Sequence, residues 1–365
     1  MVRQQCIAVA SCLLICLFST TSASAASART LVDQLGRTVT LPQKVERIIP
    51  LGGAARFVVY MQAFDLVVGV EAMEARQPPS AGRPYNIAIR KLAEKLPVVG
   101  EGRQKPVNPE AIIALRPDLL ITAEADRVQA DHLARLTGVP VLALDYGGWG
   151  VLQPDKSKQA LKLLGTALNR TKRAQQLIDF FSLQEQQLKA RIKQPSRKQV
   201  YIGAVSQRGN HGITSTDADY FPLLAAQGVN LARQPGRQGH LYIDKEQLLS
   251  WNPSIILLDA AGVRLVQEDY NRNSGFYKQL AAVQSNQVFV TLPYNNYHTN
   301  LELALANSWY VAKLLHPASF RDSDPASKTD ELCKAFVGIT CYEQLRKEFG
   351  GFGPAYLAPQ TGHVN

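Results

Sequence analysis

One sequence pattern occurs twice in this chain of 365 residues. NPEAIIALRPDLLI at 108–121 matches DKEQLLSWNPSIIL at 244–257 with a constant offset. Each copy has an apolar helical face, a proline that cannot continue the helix, and an apolar run typical of a buried strand. The two copies predict two lobes of similar architecture. The alternative is that two unrelated helix–strand units look alike by chance.

A long amphipathic helix is predicted between the two copies, over residues 171–193. Apolar side chains recur at helical spacing along one of its faces, namely at Leu177, Phe181, Leu188 and Ile192. Thr171 is a candidate cap, and Pro195 ends the pattern. A helix of this size is about 33 Å long, so it can serve as a spine between two lobes. A surface helix of a single domain is the alternative.

Short apolar strands alternate with helices on both sides of this helix, which predicts mostly parallel sheets with helices on both faces. The predicted strands are 47–51, 66–70, 97–99, 119–122, 139–144, 198–203, 255–258 and 288–291, after a hairpin at 30–41. In the last third of the chain, helices are predicted at 277–281, 301–314 and 331–347. The fold class is therefore α/β, with two Rossmann-like lobes joined by one long backbone helix. We expect an N-terminal lobe at 29–150, linking helices at 151–195, and a C-terminal lobe with closing helices at 196–365.

Residues 1–28 have the features of a cleavable secretory signal peptide. Arg3 precedes an apolar run at 6–18, and two A-x-A cleavage patterns follow at 23–25 and 26–28. The apolar run is too short to span a bilayer. The stretch from Val9 to Cys12 also resembles a lipoprotein box, so a lipid anchor is the alternative to a free periplasmic protein.

Cleavage of this segment leaves two cysteines, Cys333 and Cys341, which form a candidate disulfide in an oxidising compartment. Their spacing alone does not settle whether they pair.

The formal net charge is +10. Because the basic residues are dispersed and not interleaved with aromatics, we expect no nucleic-acid partner. The charge is compatible with an anionic ligand.

Several motifs together resemble the helical-backbone class of substrate-binding proteins. These motifs are VDQLGRTVTLP at 32–42, RIIPLG at 47–52, the two repeat copies and the single spine helix. Proteins of this class serve bacterial ABC importers for ferric siderophores, haem and cobalamin. The stretches at 210–215, 293–297 and 349–352 resemble its iron-complex branch.

The resemblance implies that two lobes flank a cleft and move little relative to one another. It also implies that Glu110 and Glu246 each contact arginines of a permease dimer, because they match the docking glutamates of the class. Both lie in the first turn of a predicted helix, where a carboxylate is favourable without any partner. That electrostatic role is the alternative.

Ligands of open α/β sheets bind beyond the carboxyl ends of the strands, so three loops are candidates for the pocket. These loops are 52–56, 206–215 and 294–298. Their predicted ligand-binding residues are Arg56, Arg208, His211, Tyr294, Tyr297 and His298. The arginines suit an anionic chelate, and the aromatic residues could stack on it or complete the coordination of its metal. An ordinary surface or core role is the alternative for each. No motif for a structural metal site is present.

The predicted function is capture of a metal chelate and its delivery to the permease, without catalysis and without an intrinsic cofactor. A ferric siderophore is the first candidate, followed by a nickel or cobalt metallophore complex and then by haem or cobalamin. A metal-chelatase-like enzyme is the alternative of another class. The absence of G-x-S-x-G, P-loop and G-x-G-x-x-G motifs weighs against an enzyme. We expect a monomer that meets the membrane only through the permease.

Overall fold

A computed structural model describes residues 28–76, 78, 80–103, 105–147 and 151–357. The predicted signal peptide and the lipoprotein-box pattern lie outside these residues, apart from residue 28. Among the described helices, none is long and apolar enough to cross a membrane.

The first lobe contains an antiparallel hairpin and two parallel sheets. Its strands are β1 (Arg29–Val32), β2 (Thr38–Leu41), β3 (Ile48–Leu51), β4 (Val70–Glu71), β5 (Val98–Gly100), β6 (Leu119–Thr122) and β7 (Val141–Ala143). Its helices are α1 (Ala55–Tyr60), α2 (Ala72–Ala75), α3 (Pro84–Ala93), α4 (Pro109–Ala114) and α5 (Arg127–Thr137). The main sheet has the order β3-β6-β7, and β4 pairs with β5. The strand predicted at 66–70 shortens to β4, preceded by a 3-10 turn at Phe64–Leu66.

Two helices link the lobes, α6 (Pro154–Ala167) and α7 (Thr171–Arg191). All four residues of the predicted apolar face of the spine helix are buried. Thr171 does not cap this helix, since Arg170 occupies the cap position and no side chain caps it. With 21 residues, α7 is about 32 Å long. It packs against α6 and against helices of the second lobe.

The second lobe is built on a five-stranded sheet of order β10-β8-β12-β13-β14, parallel except at β14. The strands of this lobe are β8 (Gln199–Gly203), β9 (Ser215–Asp217), β10 (Val229–Asn230), β11 (His240–Tyr242), β12 (Ile255–Asp259), β13 (Val288–Thr291) and β14 (Gly353–Pro354). Its helices are α8 (Phe221–Ala225), α9 (Lys245–Trp251), α10 (Val263–Arg272), α11 (Ser274–Tyr277), α12 (Ala281–Gln284), α13 (Leu301–Leu315), α14 (Pro325–Val337) and α15 (Tyr342–Phe349). No strand pairing among the described residues joins the sheets of the two lobes.

Two helix predictions for the second lobe are wrong. Residues 277–281 do not form one helix, because α11 ends and α12 begins within them. The helix predicted at 331–347 is two helices, since Gly338 ends α14 with a left-handed φ of 79°. The structure joins Cys333 of α14 to Cys341, directly before α15, in a disulfide. Both cysteines are buried.

The two copies of the repeat adopt the same local structure. Asn108 and Asp244 cap α4 and α9, each accepting a backbone N–H three residues on, at 2.9 and 2.6 Å. Arg116 and Asn252 then take left-handed φ values of 46° and 41°, just before the matching prolines. The following strands, β6 and β12, each occupy an interior position of their sheet. The repeat therefore places equivalent elements at the centre of each lobe.

A continuous hydrophobic core connects the lobes through the linking helices. It includes Phe57 of α1, Leu177 and Phe181 of α7, Leu223 of α8 and Leu305 of α13. Two smaller clusters cover the other face of each sheet. The mixed α/β fold, with two lobes of mostly parallel sheet around one long helix, is as predicted from the sequence.

Candidate ligand-binding site

A groove of about 430 Å³ lies between the lobes. Its lining consists of Arg103, Ala261, Pro293 and two segments of the second lobe, 206–210 and 295–298. Arg103 is contributed by the first lobe. We call this cavity the interlobe groove.

The parallel sheets explain why these residues meet. Residues 206–210 follow β8, Ala261 follows β12, and 293–298 follow β13. Arg103 follows β5 of the first lobe. The groove is therefore lined from the carboxyl ends of strands in both lobes, the position where open α/β sheets hold their ligands.

Residues 293–300, which we call the crossing segment, leave β13 and contact the first lobe. Arg56 on α1 donates from Nη1 to the carbonyl of Thr299 at 2.9 Å and from Nη2 to that of Asn296 at 3.2 Å. The Nη2 atom also donates to the carbonyl of Tyr297. Arg56 is fully buried and does not line the groove, so its ligand contact stays a prediction. A buried guanidinium needs acceptors, and here backbone carbonyls supply them.

Tyr297 fastens the crossing segment to a buried carboxylate of the first lobe. Its hydroxyl donates to Oε2 of Glu71 at 2.6 Å and accepts the backbone N–H of Arg103 at 3.3 Å. The same carboxylate accepts the N–H of Gly52 at 3.0 Å. Burial raises the pKa of Glu71 to about 7, although the hydrogen bonds from Tyr297 and Gly52 oppose the rise. This carboxyl group therefore titrates near neutral pH.

His298 enters a second buried pocket of the first lobe. Its Nδ1 is hydrogen-bonded to the hydroxyl of Tyr146, and its Nε2 lies 3.7 Å from Oε1 of Glu124. Burial lowers the pKa of His298, which favours the neutral imidazole. A Cβ atom at Gly53 would lie 2.6 Å from Cδ2 of this ring. Glycine at position 53 therefore makes room for the imidazole.

Two further predicted ligand residues do not line the groove. Tyr294 is only 1% exposed and packs edge-to-face on Tyr220, with ring centres 5.6 Å apart. His211 lies beside the 206–210 segment, and its Nε2 bonds the carbonyl of Gln207 at 2.7 Å. Both therefore lie outside the groove lining, and their ligand contacts stay predictions. Of the six predicted residues, Arg208, Tyr297 and His298 do line it.

Left-handed backbone conformations concentrate around the groove. Arg103 and Arg208 both have φ of 55°, while Tyr297 and His298 have φ of 49° and 71°. Each such conformation costs on the order of 1–3 kcal/mol for a residue other than glycine. The hydrogen bonds of the crossing segment hold two of these four residues in place. Such clustering is typical of ligand sites.

The electrostatics of the groove come from an arginine of each lobe. Arg103 and Arg208 are both exposed and line the same cavity. In the described part of the chain, no group of three His, Cys, Asp or Glu side chains could hold a metal ion. The groove can attract and hydrogen-bond an anion through the guanidinium groups of these arginines.

Several residues of the site were not predicted. Arg103, Glu71, Glu124 and Tyr146 all follow or end strands of the first lobe. The rule that ligand-site residues follow the carboxyl ends of parallel strands could have identified each of them.

The two repeat glutamates lie at equivalent places on the lobes. Glu110 and Glu246 are both exposed in the first turns of α4 and α9. Both helices begin with a capping side chain, so neither glutamate is needed as the cap. Their carboxylates are available for contacts outside the chain.

A family model described as "Periplasmic binding protein" matches residues 62–294. The chain belongs to this family. The match confirms the resemblance to the helical-backbone class, as do the solved structures of similar fold. Members are solute-binding proteins that work with the membrane permease of an ABC transporter, and the family is periplasmic.

The molybdate-binding protein MolA of Haemophilus influenzae is 26% identical over 338 residues, covering 86% of this chain and 92% of the relative. The structure of MolA bound to molybdate aligns with a TM-score of 0.67 and 19% identity, over 86% of this chain and 98% of MolA. Helicobacter pylori CeuE with Ni(II) bound aligns with a TM-score of 0.62 and 17% identity, over 87% and 99% of the two chains. At these identities the structural matches establish the fold alone.

Proposed function

We propose that this protein captures an anionic metal chelate, with a ferric siderophore as first candidate, in the interlobe groove and passes it to its permease. One observation carries the proposal: an arginine from each lobe lines one cavity at the carboxyl ends of the strands. A ligand bound by both arginines would connect the two lobes. Binding would then favour arrangements in which the two lobes lie close together around the ligand.

The charge of the groove favours an anion over a neutral or cationic solute. Arg103 and Arg208 present positively charged, planar donors suited to carboxylate, catecholate or other oxyanion groups. The whole chain is also basic, with a formal net charge of +10. This excess favours the approach of anions at low ionic strength.

The size of the groove favours a chelate over a bare oxyanion. Ligand pockets commonly measure about 300–1,000 Å³, and the groove lies within this range. Tyr297 supplies an aromatic wall. A flat chelate could stack on such a wall.

An oxyanion such as molybdate is the second candidate. The relative that is 26% identical to this chain is named as a molybdate-binding protein. A small oxyanion would need only the two arginines and nearby backbone N–H groups. The other chelates considered above, of nickel, cobalt, haem or cobalamin, rank below these two.

Delivery requires contact with the permease, for which Glu110 and Glu246 are the proposed docking residues. Their equivalent positions in the two repeat copies suit two equivalent receptor sites on a permease dimer. We propose further that a signal peptide at 1–28 directs the chain to the periplasm. The protein would act there as a monomer without catalytic activity.

The experiment is a calorimetric titration of ligand-free protein with probes that differ in charge. The anionic probes are ferric tris-catecholate, ferric citrate and sodium molybdate, and the cationic probe is the ferric complex of desferrioxamine B. We expect one anionic probe to bind with Kd below about 1 µM, equivalent to about −8 kcal/mol. The chelator without metal should bind at least tenfold more weakly if the ligand is a chelate. Preference for the cationic complex, or no binding of any anion, would overturn the proposal.

A further inference from the structure

Two histidines and a tyrosine lie together on the second lobe, outside the groove. The ring centres of His211 and His240 are 6.1 Å apart. The ring of Tyr242 lies 5.4 Å from that of His211 and 4.9 Å from that of His240. None of the three residues lines the interlobe groove.

Strand geometry places two of these side chains on one face. His240 and Tyr242 begin and end β11, so they point to the same side of its antiparallel pairing with β9. Ser215 is the direct partner of Tyr242 in that pairing. His211 approaches the same face from the loop that precedes β9.

The hydrogen bonds of Ser215 determine which nitrogen of His240 carries the proton. The hydroxyl of Ser215 donates to the carbonyl of Val205 at 2.6 Å. Because a hydroxyl has one proton, its oxygen must accept from Nε2 of His240, which lies 2.8 Å away. In the neutral ring, Nδ1 of His240 therefore keeps a lone pair.

His211 is held in the same tautomer. Its Nε2 lies 2.7 Å from the carbonyl oxygen of Gln207, which can only accept. Nδ1 of His211 therefore has the lone pair in the neutral ring, and the hydroxyl of Tyr242 lies 3.3 Å from it and 3.1 Å from Nε2. Histidines that bind metals commonly have one N–H fixed by an oxygen while the other nitrogen faces the ion.

We propose that His211, His240 and Tyr242 bind one divalent transition-metal ion of the Ni²⁺, Cu²⁺ or Zn²⁺ type. Two imidazoles that share an ion at about 2.0–2.1 Å have ring centres within about 6.5 Å of each other. The observed separation meets this limit. Imidazole nitrogen suits all three metals, and the phenol oxygen of Tyr242 would be a third, weaker ligand.

The site differs from a structural metal cage. It has two nitrogen ligands and one phenol, and Tyr242 is 60% exposed. Water or a small ligand would fill the remaining positions, so the ion would exchange readily. Because the three residues lie outside the groove, the ion and the transported solute could bind at the same time.

The test is a calorimetric titration of protein lacking a histidine tag with NiCl₂ and with ZnCl₂ at pH 7.5. We expect one ion per chain, with micromolar Kd. His211→Ala should weaken binding at least tenfold without disturbing the bond between His240 and Ser215. Tyr242→Phe should weaken it severalfold. His132→Ala is the matched control, since His132 is exposed on α5 of the other lobe, and it should change nothing.

A spectroscopic measurement separates loss of a ligand from loss of folding. The electron paramagnetic resonance spectrum with one equivalent of Cu²⁺ should show coupling to two imidazole nitrogens in the wild type and to one in His211→Ala. Equal melting temperatures would show that the variant is folded. Unchanged metal affinity in folded His211→Ala, or binding that depends on His132, would overturn the proposal.

Discussion

The two lobes share one helix–strand unit but differ at the carboxyl ends of their strands. In both copies a capped helix carries an exposed glutamate, ends in a left-handed residue before proline, and leads into an interior strand. Both lobes hold buried carboxylates at their strand ends, such as Glu71 and Asp259, but in the first lobe the crossing segment covers them. The second lobe presents the exposed residues 208–210 there.

This difference separates two tasks of the molecule. The repeated part shapes each lobe and displays Glu110 and Glu246 at equivalent positions. The part that does not repeat forms the groove, where Tyr297 and His298 of the second lobe anchor in the first. A duplicated scaffold can therefore present a symmetric surface to a permease and an asymmetric one to a solute.

The largest effect should come from removing both repeat glutamates. We expect Glu110→Ala with Glu246→Ala to reduce solute uptake by cells to background and to leave solute affinity unchanged, because neither residue lines the groove. Uptake of radiolabelled solute and calorimetry on the purified variant measure the two quantities. Glu94→Ala with Glu268→Ala, which removes one half-exposed glutamate side chain from each lobe, is the control. Lost solute affinity in the first pair, or normal uptake, would contradict the docking role.

The next effect concerns the arginines that make the groove basic. Arg103→Gln with Arg208→Gln should weaken binding of the anionic ligand by at least about 100-fold, or about 2.7 kcal/mol, because hydrogen bonds to charged groups contribute about 1.5–3 kcal/mol each. Arg127→Gln with Arg197→Gln removes the same charge from exposed sites outside the groove. If both pairs weaken binding equally, only the overall charge matters and the groove assignment is wrong.

The buried carboxyl group of the first lobe predicts a pH effect. The pKa of Glu71 is raised from 4.5 to about 7, so its protonated form contributes stability below 4.5 that is lost as the pH rises through 7. Between pH 5 and pH 8.5, the free energy of unfolding of the wild type should fall by about 2–3 kcal/mol more than that of Glu71→Gln. Urea unfolding at several pH values measures this difference. Asp217 and Asp259 have similarly raised pKa values but are present in both proteins, so their contributions cancel.

Parallel pH profiles for wild type and Glu71→Gln would show that Glu71 does not titrate in this range. Because Asp217 lies in the second lobe, Asp217→Asn gives the matching measurement there. If the free energy of unfolding of wild type again falls more with rising pH than that of Asp217→Asn, buried carboxyl groups of both lobes cause the pH dependence.

A smaller effect should follow from loosening the crossing segment. Tyr297→Phe removes the hydroxyl that donates to Glu71 at 2.6 Å, and we expect a loss of about 1.5 kcal/mol in the free energy of unfolding at pH 8.5. Tyr356→Phe, at a residue 60% exposed, should have no effect in the same urea titration. Equal stability of both variants would mean that this bond does not hold the segment.

The sequence predicted the repeated part of the fold better than the unrepeated part. Proline and apolar periodicity located α4, β6, α9 and β12, because these signals are local. The helix predicted at 331–347 failed at Gly338, where one left-handed residue ends α14 before the pattern of apolar residues does. Periodicity alone does not show such an interruption.

The site was predicted only in part. The strand-end rule found Arg208, Tyr297 and His298, which line the groove. The same rule selected Arg56 and Tyr294, whose side chains tertiary contacts turn into the interior. Which residues of a loop face a ligand depends on contacts between distant segments, such as the bonds from Arg56 to the crossing segment. Those contacts are not encoded in local spacing.

The most direct test is native mass spectrometry of the protein purified from the cells that naturally produce it. The wild type is compared with the double variant Arg103→Gln, Arg208→Gln. The account predicts one bound solute per chain, with the mass of an anionic metal chelate or oxyanion in the wild type and little or none in the variant. A neutral or cationic solute, or equal occupancy in both proteins, would contradict the claim that the two arginines hold an anion between the lobes.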